Sequence, residues 1–275
     1  MALAIEGWRA RLELDYERGP RRTVLRHCQH IGPLSVQRPF YPEDDVCHTY
    51  LLHPPGGVVG GDELAVDLNV GDDASALLTT PGATKFYRSN GPVARVQQTL
   101  HVETNASLEW FPLENIFFPG AVVDTHTTVS LGAGAEIALW EVHCFGRPVI
   151  GERFDHGRVD ASLSIHRESK PMLLERQRIY APHGARRSML GRFAVTGIFV
   201  ASQCDETGLE AARDALTVVG ANEWVGATLL DQQCLVVRYL GDSTESARRI
   251  FGSVWANLRP LQLERPACPP RIWAT

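Results

Sequence analysis

The segment LAVDLNVGDDASALLTTPG (residues 64–82) decides the fold, because its layout recurs along the chain. It contains an alternating strand, a polar turn, an alanine and a second apolar strand. VQQTLHVETNASLEWFPLE (96–114) and HTTVSLGAGAEIALWEVHC (126–144) share this layout. Their common alignment superimposes two sets of positions: Val70, Val102 and Leu131, and Ala74, Ala106 and Ala135. A weaker fourth copy, DASLSIHRESKPMLLERQR (160–178), fits with Ile165 at the valine position.

Copies spaced by roughly 30 residues are typical of stacked β units. One strand pair cannot bury its apolar face alone, whereas stacked pairs form a continuous core. We therefore predict a mainly β protein with a β-helical, stacked-layer architecture; a plain β-sandwich with similar hairpins is the alternative. The sixth residues after the aligned alanines should lie near one edge of the stack, with the last two as neighbours one rung apart: Thr80, Pro112, Glu141 and Glu175.

Helical periodicity is convincing only towards the end of the chain. TGLEAARDALTVVG (207–220) begins with a capping candidate and stops at glycine, and DSTESARRIFGSVWANLRPL (242–261) begins with Asp242 and Ser243. The second segment has an apolar stripe: Ala247, Ile250, Phe251, Val254 and Leu258. We predict two α-helices in the C-terminal third of a single domain (1–275), with a helical segment at about 207–258 packed on the β core.

Composition excludes several classes of protein. A net charge of −5 argues against a general nucleic-acid binder. The six cysteines form no C-x-x-C pair, so neither a zinc site nor a disulfide scaffold is indicated. No apolar run reaches the roughly 18 residues of a membrane span, and the N-terminus does not resemble a signal peptide. We predict a cytoplasmic protein without nucleic-acid or membrane partners.

Motifs for catalysis are missing from the sequence. In HPPGGVVGGDEL (53–64) the glycines precede Asp62 and Glu63, which would repel a phosphate, so this is not a P-loop. No H-E-x-x-H, G-x-S-x-G or Ser/His/Asp signature occurs. His48 and His53 are an odd number of residues apart and face opposite sides of a strand, which favours structural roles. The adjacent His143 and Cys144 face apart for the same reason.

Two glutamates stand out because they lie in apolar strands. Glu141 lies between Trp140 and Val142, and Glu175 follows PMLL. A buried carboxylate is costly unless it is paired, bound to a metal or in contact with water. The nearby arginines offer pairing: Arg147, Arg176 and Arg178. Isolated oxygen ligands hold late first-row metals weakly, which suits a carrier better than a metalloenzyme.

Five segments in order resemble the urease accessory protein UreD (UreH) family: HPPGGVVGGDEL, LLTTPGATKFYRS, LEWFPLENIFFPGA, WEVHCFGRPVIGERF and the terminal RIWAT. The resemblance covers essentially the whole chain. It implies a β-helical fold with a pair of helices and a non-enzymatic role as a urease maturation chaperone. It also implies that apo-urease and UreF are partners, and that UreF recruits the GTPase UreG.

The resemblance further implies that nickel passes transiently through an internal route to urease, without a tightly bound cofactor. The family's acidic positions match Asp62 and its neighbour Glu63, Glu141 and Glu175, so these four are the candidate nickel contacts. The alternative function is a metal-dependent or carboxylate-based hydrolase on a β-helix scaffold, with Glu141 and Glu175 as acid and base. Trp273 and Arg271 in the tail are either partner contacts or anchors to the core.

Overall fold

Short strands wind into a coil of parallel rungs, and helices cover one side of it. A computed structural model describes residues 7–181, 185–218 and 223–274. The strands are β1 (Arg9–Arg18), β2 (Thr23–Ile31), β3 (Ser35–Val36), β4 (Cys47–Leu52), β5 (Glu63–Val70), β6 (Ser75–Thr79), β7 (Thr84–Phe86), β8 (Ala94–Val102), β9 (Ser107–Phe111), β10 (Asn115–Phe117), β11 (Val122–Leu131), β12 (Glu136–Arg147), β13 (Glu152–Arg153), β14 (Gly157–Arg167), β15 (Lys170–Ala181), β16 (Val195–Ala201), β17 (Trp224–Leu230) and β18 (Cys234–Gly241). The helices are α1 (Ala185–Leu190), α2 (Glu206–Ala215) and α3 (Thr244–Gln262).

Two large sheets form the coil. The first has the order β15-β14-β11-β8-β5-β1-β2, in which β1, β5, β8, β11 and β14 are parallel. The second follows the order β17-β18-β16-β12-β9-β6-β4-β3, with β4, β6, β9 and β12 parallel. The short strand β10 pairs with the end of β12, and β7 pairs with β10, which makes a third side. This is a β-solenoid-like arrangement, as predicted.

The predicted register is confirmed for three of the four copies. Val70 lies opposite Val102, and Val102 lies opposite Leu131, in adjacent parallel strands. The fourth copy is wrong, because Leu131 lies opposite Arg167 rather than Ile165. After Arg167 the chain turns through two residues with positive φ and returns as β15, antiparallel to β14 in the same sheet. Two apolar strands joined by a tight polar turn look the same in sequence whether they continue a coil or form a hairpin.

Both predicted C-terminal helices are present, and α1 is an additional short one. The Asp205 side chain caps α2 by accepting from the Gly208 N–H, and Ser243 caps α3 by accepting from the Ser246 N–H. All five stripe residues of α3 are buried against the second sheet. The predicted end of the first helix, Gly220, lies outside the described residues. No helix in the described ranges is long and apolar enough to cross a membrane.

A buried ion cluster joins α3 to the second sheet. The Arg259 guanidinium is fully buried and donates to both oxygens of Glu109 at 2.9 Å. It also donates to Glu43, which lies 2.6 Å from His48 Nε2. Burial alone would raise the pKa of Glu43, but hydrogen bonds from His48 and Arg259 outweigh that effect and lower it. Trp255 Nε1 donates to Glu109 at 2.6 Å. Two side chains of α3 therefore form hydrogen bonds with the same carboxylate of the sheet.

Replacing Arg259 with alanine should lower the free energy of unfolding by about 3–5 kcal/mol, because two carboxylates are left buried without their cation. Urea denaturation measures this change. The control is Arg249→Ala, which removes an exposed arginine of the same helix and should change stability by less than about 0.5 kcal/mol. Equal effects of the two substitutions would show that the cluster does not hold α3 in place.

Candidate functional site

The alternation of side chains along β12 places two polar groups between the two sheets. One set of alternate residues faces the helices: Ala138, Trp140, Val142 and Cys144. The other set faces the space between the sheets: Ile137, Leu139, Glu141, His143 and Phe145. Glu141 and His143 therefore follow each other on the inner face, as the period of two requires. Cys144 lies on the opposite face from His143, as predicted, and burial raises its pKa to about 12.

Glu141 is held by a hydroxyl instead of a cation. The Thr127 hydroxyl donates to Glu141 Oε1 at 2.6 Å, and Gln98 Oε1 lies 3.1 Å from the same hydroxyl. Among the described residues no lysine or arginine forms an ion pair with this carboxylate. Its second oxygen lies 3.9 Å from His143 Nε2. A carboxylate with one neutral donor keeps most of its capacity to attract a cation.

A cavity of about 350 Å³ extends from the exposed residues Pro81, Gly82 and Lys85 into the coil and is bordered by Glu141. All three sides of the coil contribute to its wall. Most of the wall is apolar, and the polar side chains that line it include His53, Thr80, Gln98, Thr125 and Glu141. The positions predicted to share an edge of the stack do meet here, since Thr80, Pro112 and Glu141 all line this cavity.

A second, smaller cavity of about 60 Å³ lies between β12, β16 and β18 of one sheet and β14 and β15 of the other. Ala161 and Leu163 of β14 form part of its wall, together with Glu175 and Gln177 of β15 and Arg238 of β18. Glu141 borders both cavities. Its side chain is therefore part of the wall of each cavity.

Glu175 reaches this pocket from the opposite sheet. It lies on β15 opposite Leu163, so the predicted position one rung from Glu141 in the same sheet is wrong. The reason is the hairpin that returns β15 along the first sheet. Glu175 nevertheless points inwards and lines the same pocket as Glu141. Its carboxylate is 38% exposed and accepts from Arg238 Nη2 at 2.7 Å.

The arginines expected to pair with these glutamates have other partners. Arg176 and Arg178 bind Asp160 on the outer face of the first sheet, and their hydrogen bonds lower its pKa. Arg147 binds Glu152 through two hydrogen bonds. The arginine that pairs with Glu175 is Arg238, which lies 63 residues further along the chain. Sequence proximity gave no signal for this pair, because the two residues meet only where β15 of the first sheet faces β18 of the second.

Inward-facing positions of the first sheet form a row along the coil axis. Gln98 lies opposite Thr127, Thr127 opposite Leu163, and Leu163 opposite Glu175. Neighbouring strands are about 4.8 Å apart, so the row crosses from the large cavity to the small one in steps of that length. Glu141 faces the row through Thr127. The row is polar at three of its four positions.

His143 was not predicted as a site residue. Its ring packs edge-on against Phe117, and its Nδ1 lies 3.3 Å from Gln177 Oε1. Its Nε2 is buried and has no hydrogen-bond partner in the described structure. The available signal was its spacing of two from Glu141 on a strand, which puts both side chains on one face. Within residues 7–181, 185–218 and 223–274, no three or more His, Cys, Asp or Glu side chains form a metal-holding group.

Asp62 and Glu63 have contacts that place them away from the two cavities. Asp62 is buried and accepts from the backbone N–H groups of Trp8 and Val59, at 2.8 Å in each case. One of its oxygens thus fixes the glycine loop before β5, and the other ties this loop to the residue before β1. Glu63 faces outwards beside Arg9 and Arg95. Neither residue lines one of the two cavities, so their contact with nickel stays a prediction.

His53 and the C-terminal tail complete the surroundings of the site. His53 lines the large cavity, and burial lowers its pKa although the charge of Asp62 opposes this. Trp273 Nε1 donates to Thr79 Oγ1 at 3.0 Å, and its ring packs on Trp140. The tail therefore anchors to the core at Trp273, which is one of the two roles expected for it.

Comparison with known proteins identifies the family. The profile of the UreD urease accessory protein family matches residues 9–274. The chain belongs to the UreD family. It is 47% identical to the urease accessory protein UreD of Alcanivorax borkumensis, over 98% of this chain and 93% of that relative. It is 43% identical to the UreD protein of Klebsiella aerogenes, over 98% of both chains, and 41% identical to that of Citrobacter koseri, over 98% of this chain and 92% of the relative.

Membership of the UreD family gives the chain an accessory role in urease maturation. Its relatives are named as accessory proteins of urease, and this chain is not an enzyme. The alternative of a hydrolase with Glu141 and Glu175 as acid and base is therefore wrong. The two carboxylates need another explanation, because one is inward-facing without a cation and the other lines the same pocket.

Replacing Glu141 with glutamine should leave the free energy of unfolding within about 0.5 kcal/mol or raise it, because it removes a half-buried charge that no arginine or lysine offsets. Glu109→Gln is the matched comparison on the neighbouring strand β9. It should lower stability by about 3 kcal/mol, since Arg259 keeps only Glu43 as its counter-ion. Urea denaturation of both variants tests this. A large loss of stability in E141Q would make Glu141 a structural residue.

Proposed function

We propose that this UreD-family protein is a non-catalytic scaffold that conducts Ni²⁺ through the interior of its coil to urease during maturation. In this proposal the protein acts in the cytoplasm and binds apo-urease and UreF, and UreF brings in the nickel-carrying GTPase UreG. Nickel is the cargo and is not retained as a cofactor. The position of Glu141, on the wall of both the large and the small cavity, is the main support.

The dimensions of the two cavities suit a hydrated cation. A water molecule needs about 10–15 Å³ of cavity volume. The small cavity of about 60 Å³ therefore has room for a few waters, and the large one has room for many more. The polar row Gln98, Thr127, Glu175 supplies oxygen ligands along one wall. Sparse oxygen ligands bind late first-row metals weakly, which lets an ion move on.

The ion pair of Glu175 and Arg238 lies at the outer end of the small cavity. The two side chains are 38% and 49% exposed, and such surface pairs are worth only about 0–1 kcal/mol. While paired, Arg238 neutralises Glu175 and repels a cation. A partner carboxylate that binds Arg238 would free Glu175. In this proposal, docking of a partner therefore opens the outer end of the route.

Alanine at Glu141 or Glu175 should each lower nickel-dependent urease activation several-fold while the chain stays folded, because the substitution removes a ligand from the route. The measurement is urease activity in cells that express the full accessory set, with thermal unfolding of the purified variants alongside. Glu103→Ala, at an exposed position of the same coil, is the control. Glu63→Ala tests the outward carboxylate and should behave like the control. Normal activation in both E141A and E175A would refute the route.

A bulky apolar side chain in the large cavity should block the route without changing its charges. Thr125 is buried and lines this cavity, so Thr125→Phe should fill part of it. Urease activation should fall while the unfolding temperature stays equal or rises, because added apolar burial is favourable where space exists. Thr128→Phe places the same ring on the exposed face of the same strand and should leave activation unchanged. Activation at the control level in T125F would mean that the cavity is not used.

A further inference from the structure

His143 has an unsatisfied nitrogen in a place where a ligand could reach it. Its side chain is 7% exposed, and its Nε2 has no hydrogen-bond partner among the described residues. Leaving a buried polar atom unpaired is unfavourable, and native structures rarely do so without a reason. The imidazole lines the small cavity, and its Nε2 lies 3.9 Å from Glu141 Oε2. A cation between these two atoms would satisfy both.

The other side of the ring is already fixed. Nδ1 lies 3.3 Å from Gln177 Oε1, an acceptor that favours the tautomer with its proton on Nδ1. That tautomer leaves a lone pair on Nε2, directed to the side of Glu141. A histidine that binds a metal commonly donates its other N–H to an oxygen in this way. Phe117 packs edge-on at 5.5 Å between ring centroids and restricts rotation of the imidazole.

We propose that His143 Nε2 and Glu141 Oε2 together bind one late first-row divalent cation, with water in its remaining coordination positions. The inference rests on the proposed nickel route and names a stopping point on it. Bonds of about 2.0–2.2 Å to nitrogen and oxygen, as for Zn²⁺, span the 3.9 Å gap with a bent angle at the ion. Neither side chain has to leave its strand for this geometry.

The combination of an imidazole nitrogen and a carboxylate oxygen also determines which cations the site prefers. Imidazole suits Ni²⁺, Cu²⁺ and Zn²⁺, whereas a site made of carboxylates and carbonyls alone suits Mg²⁺ and Ca²⁺. His143 therefore gives the route a preference that Glu141 and Glu175 alone would lack. Two protein ligands fall short of the three or four of a resident metal site. The site holds its ion long enough to select it and then releases it.

The test uses the full chain with Ni²⁺ as the only added metal. Ni²⁺ binding is measured by titration calorimetry, and ligation by X-ray absorption at less than one equivalent of Ni²⁺, where imidazole gives a recognisable scattering pattern. His143→Gln should remove the imidazole pattern from the tightest site and weaken binding at least about tenfold, the lower bound for loss of even an outer partner. Glu141→Gln should weaken binding similarly and keep the imidazole pattern. His126→Gln, an exposed outward histidine, is the control and should change neither.

The outcome for His143 is separable from the outcome for the route. If H143Q keeps wild-type affinity and the imidazole pattern, the two-ligand site is refuted even where E141A and E175A lower urease activation. If H143Q loses Ni²⁺ binding while E141A and E175A activate urease normally, the site stands and the route fails. Excess Mg²⁺ should not displace Ni²⁺ from the wild type, and displacement at equal concentrations would overturn the proposed selectivity. Thermal unfolding of H143Q checks that the variant is folded.

Discussion

Parallel stacking in register makes every inward position of one rung a neighbour of the corresponding position in the next. The rungs are about 4.8 Å apart, so the choice of side chain at one depth produces a row along the axis. Leu68, Leu100, Val129 and Ile165 form such a row and are fully buried and dry. Two residues earlier, Gln98 and Thr127 occupy equivalent places and face Glu141. Apolar and polar rows lie side by side in one core. The residue at each inward position of a strand determines whether its row is apolar or polar.

Two glutamates on adjacent strands of the second sheet show how differently a buried carboxylate can be used. Glu109 points to the helices and is saturated by Arg259 and Trp255, so its cost of desolvation is offset by three hydrogen bonds. Glu141 points to the inside of the coil and receives one hydroxyl donor. Loss of a partner from the first arrangement destabilises the fold, because it leaves a buried charge unpaired. The second leaves a charge partly uncompensated, which a fold tolerates where water or a cation has access.

Much of the architecture could be predicted because the repeat is a local signal. The alignment of Val70, Val102 and Leu131 gave the true register, and the stripe of α3 gave its buried face. The fourth copy failed at the turn after Arg167, where two residues with positive φ send the chain back as a hairpin. The sequence pattern on either side of a tight turn does not show whether the next strand continues the coil or reverses. That distinction depends on packing at the end of the stack.

The candidate site was predicted only in part, for a related reason. The repeat placed Glu141 correctly at the edge of the stack, and Glu175 lines the same pocket although its predicted place one rung from Glu141 was wrong. Arg238 binds a residue 63 positions away in the chain, and Arg259 binds one 150 positions away. No local sequence pattern could reveal either contact. His143 was within reach, since the period of two along β12 places it on the face of Glu141. Its neighbour Cys144 faces the helices, so the pair His143–Cys144 carried no signal for this site, whereas the pair Glu141–His143 did.

A route for an ion needs binding sites of similar strength, because one strong site would trap the ion and one strongly repulsive site would stop it. The polar row avoids a site strong enough to trap the ion, because hydroxyl and amide oxygens are weak ligands. The strongest proposed site, Glu141 with His143, offers only two protein ligands. Arg238 is the repulsive group at the small cavity, as Lys85 is at the large one, and the pairing of Arg238 with Glu175 is weak and partly exposed. A ligand can shift such a pair only through different contacts in its two states, and a partner carboxylate on Arg238 would supply that difference. Release at this end of the proposed route would then be coupled to the presence of the recipient, which keeps a reactive metal ion inside the protein until the partner has docked.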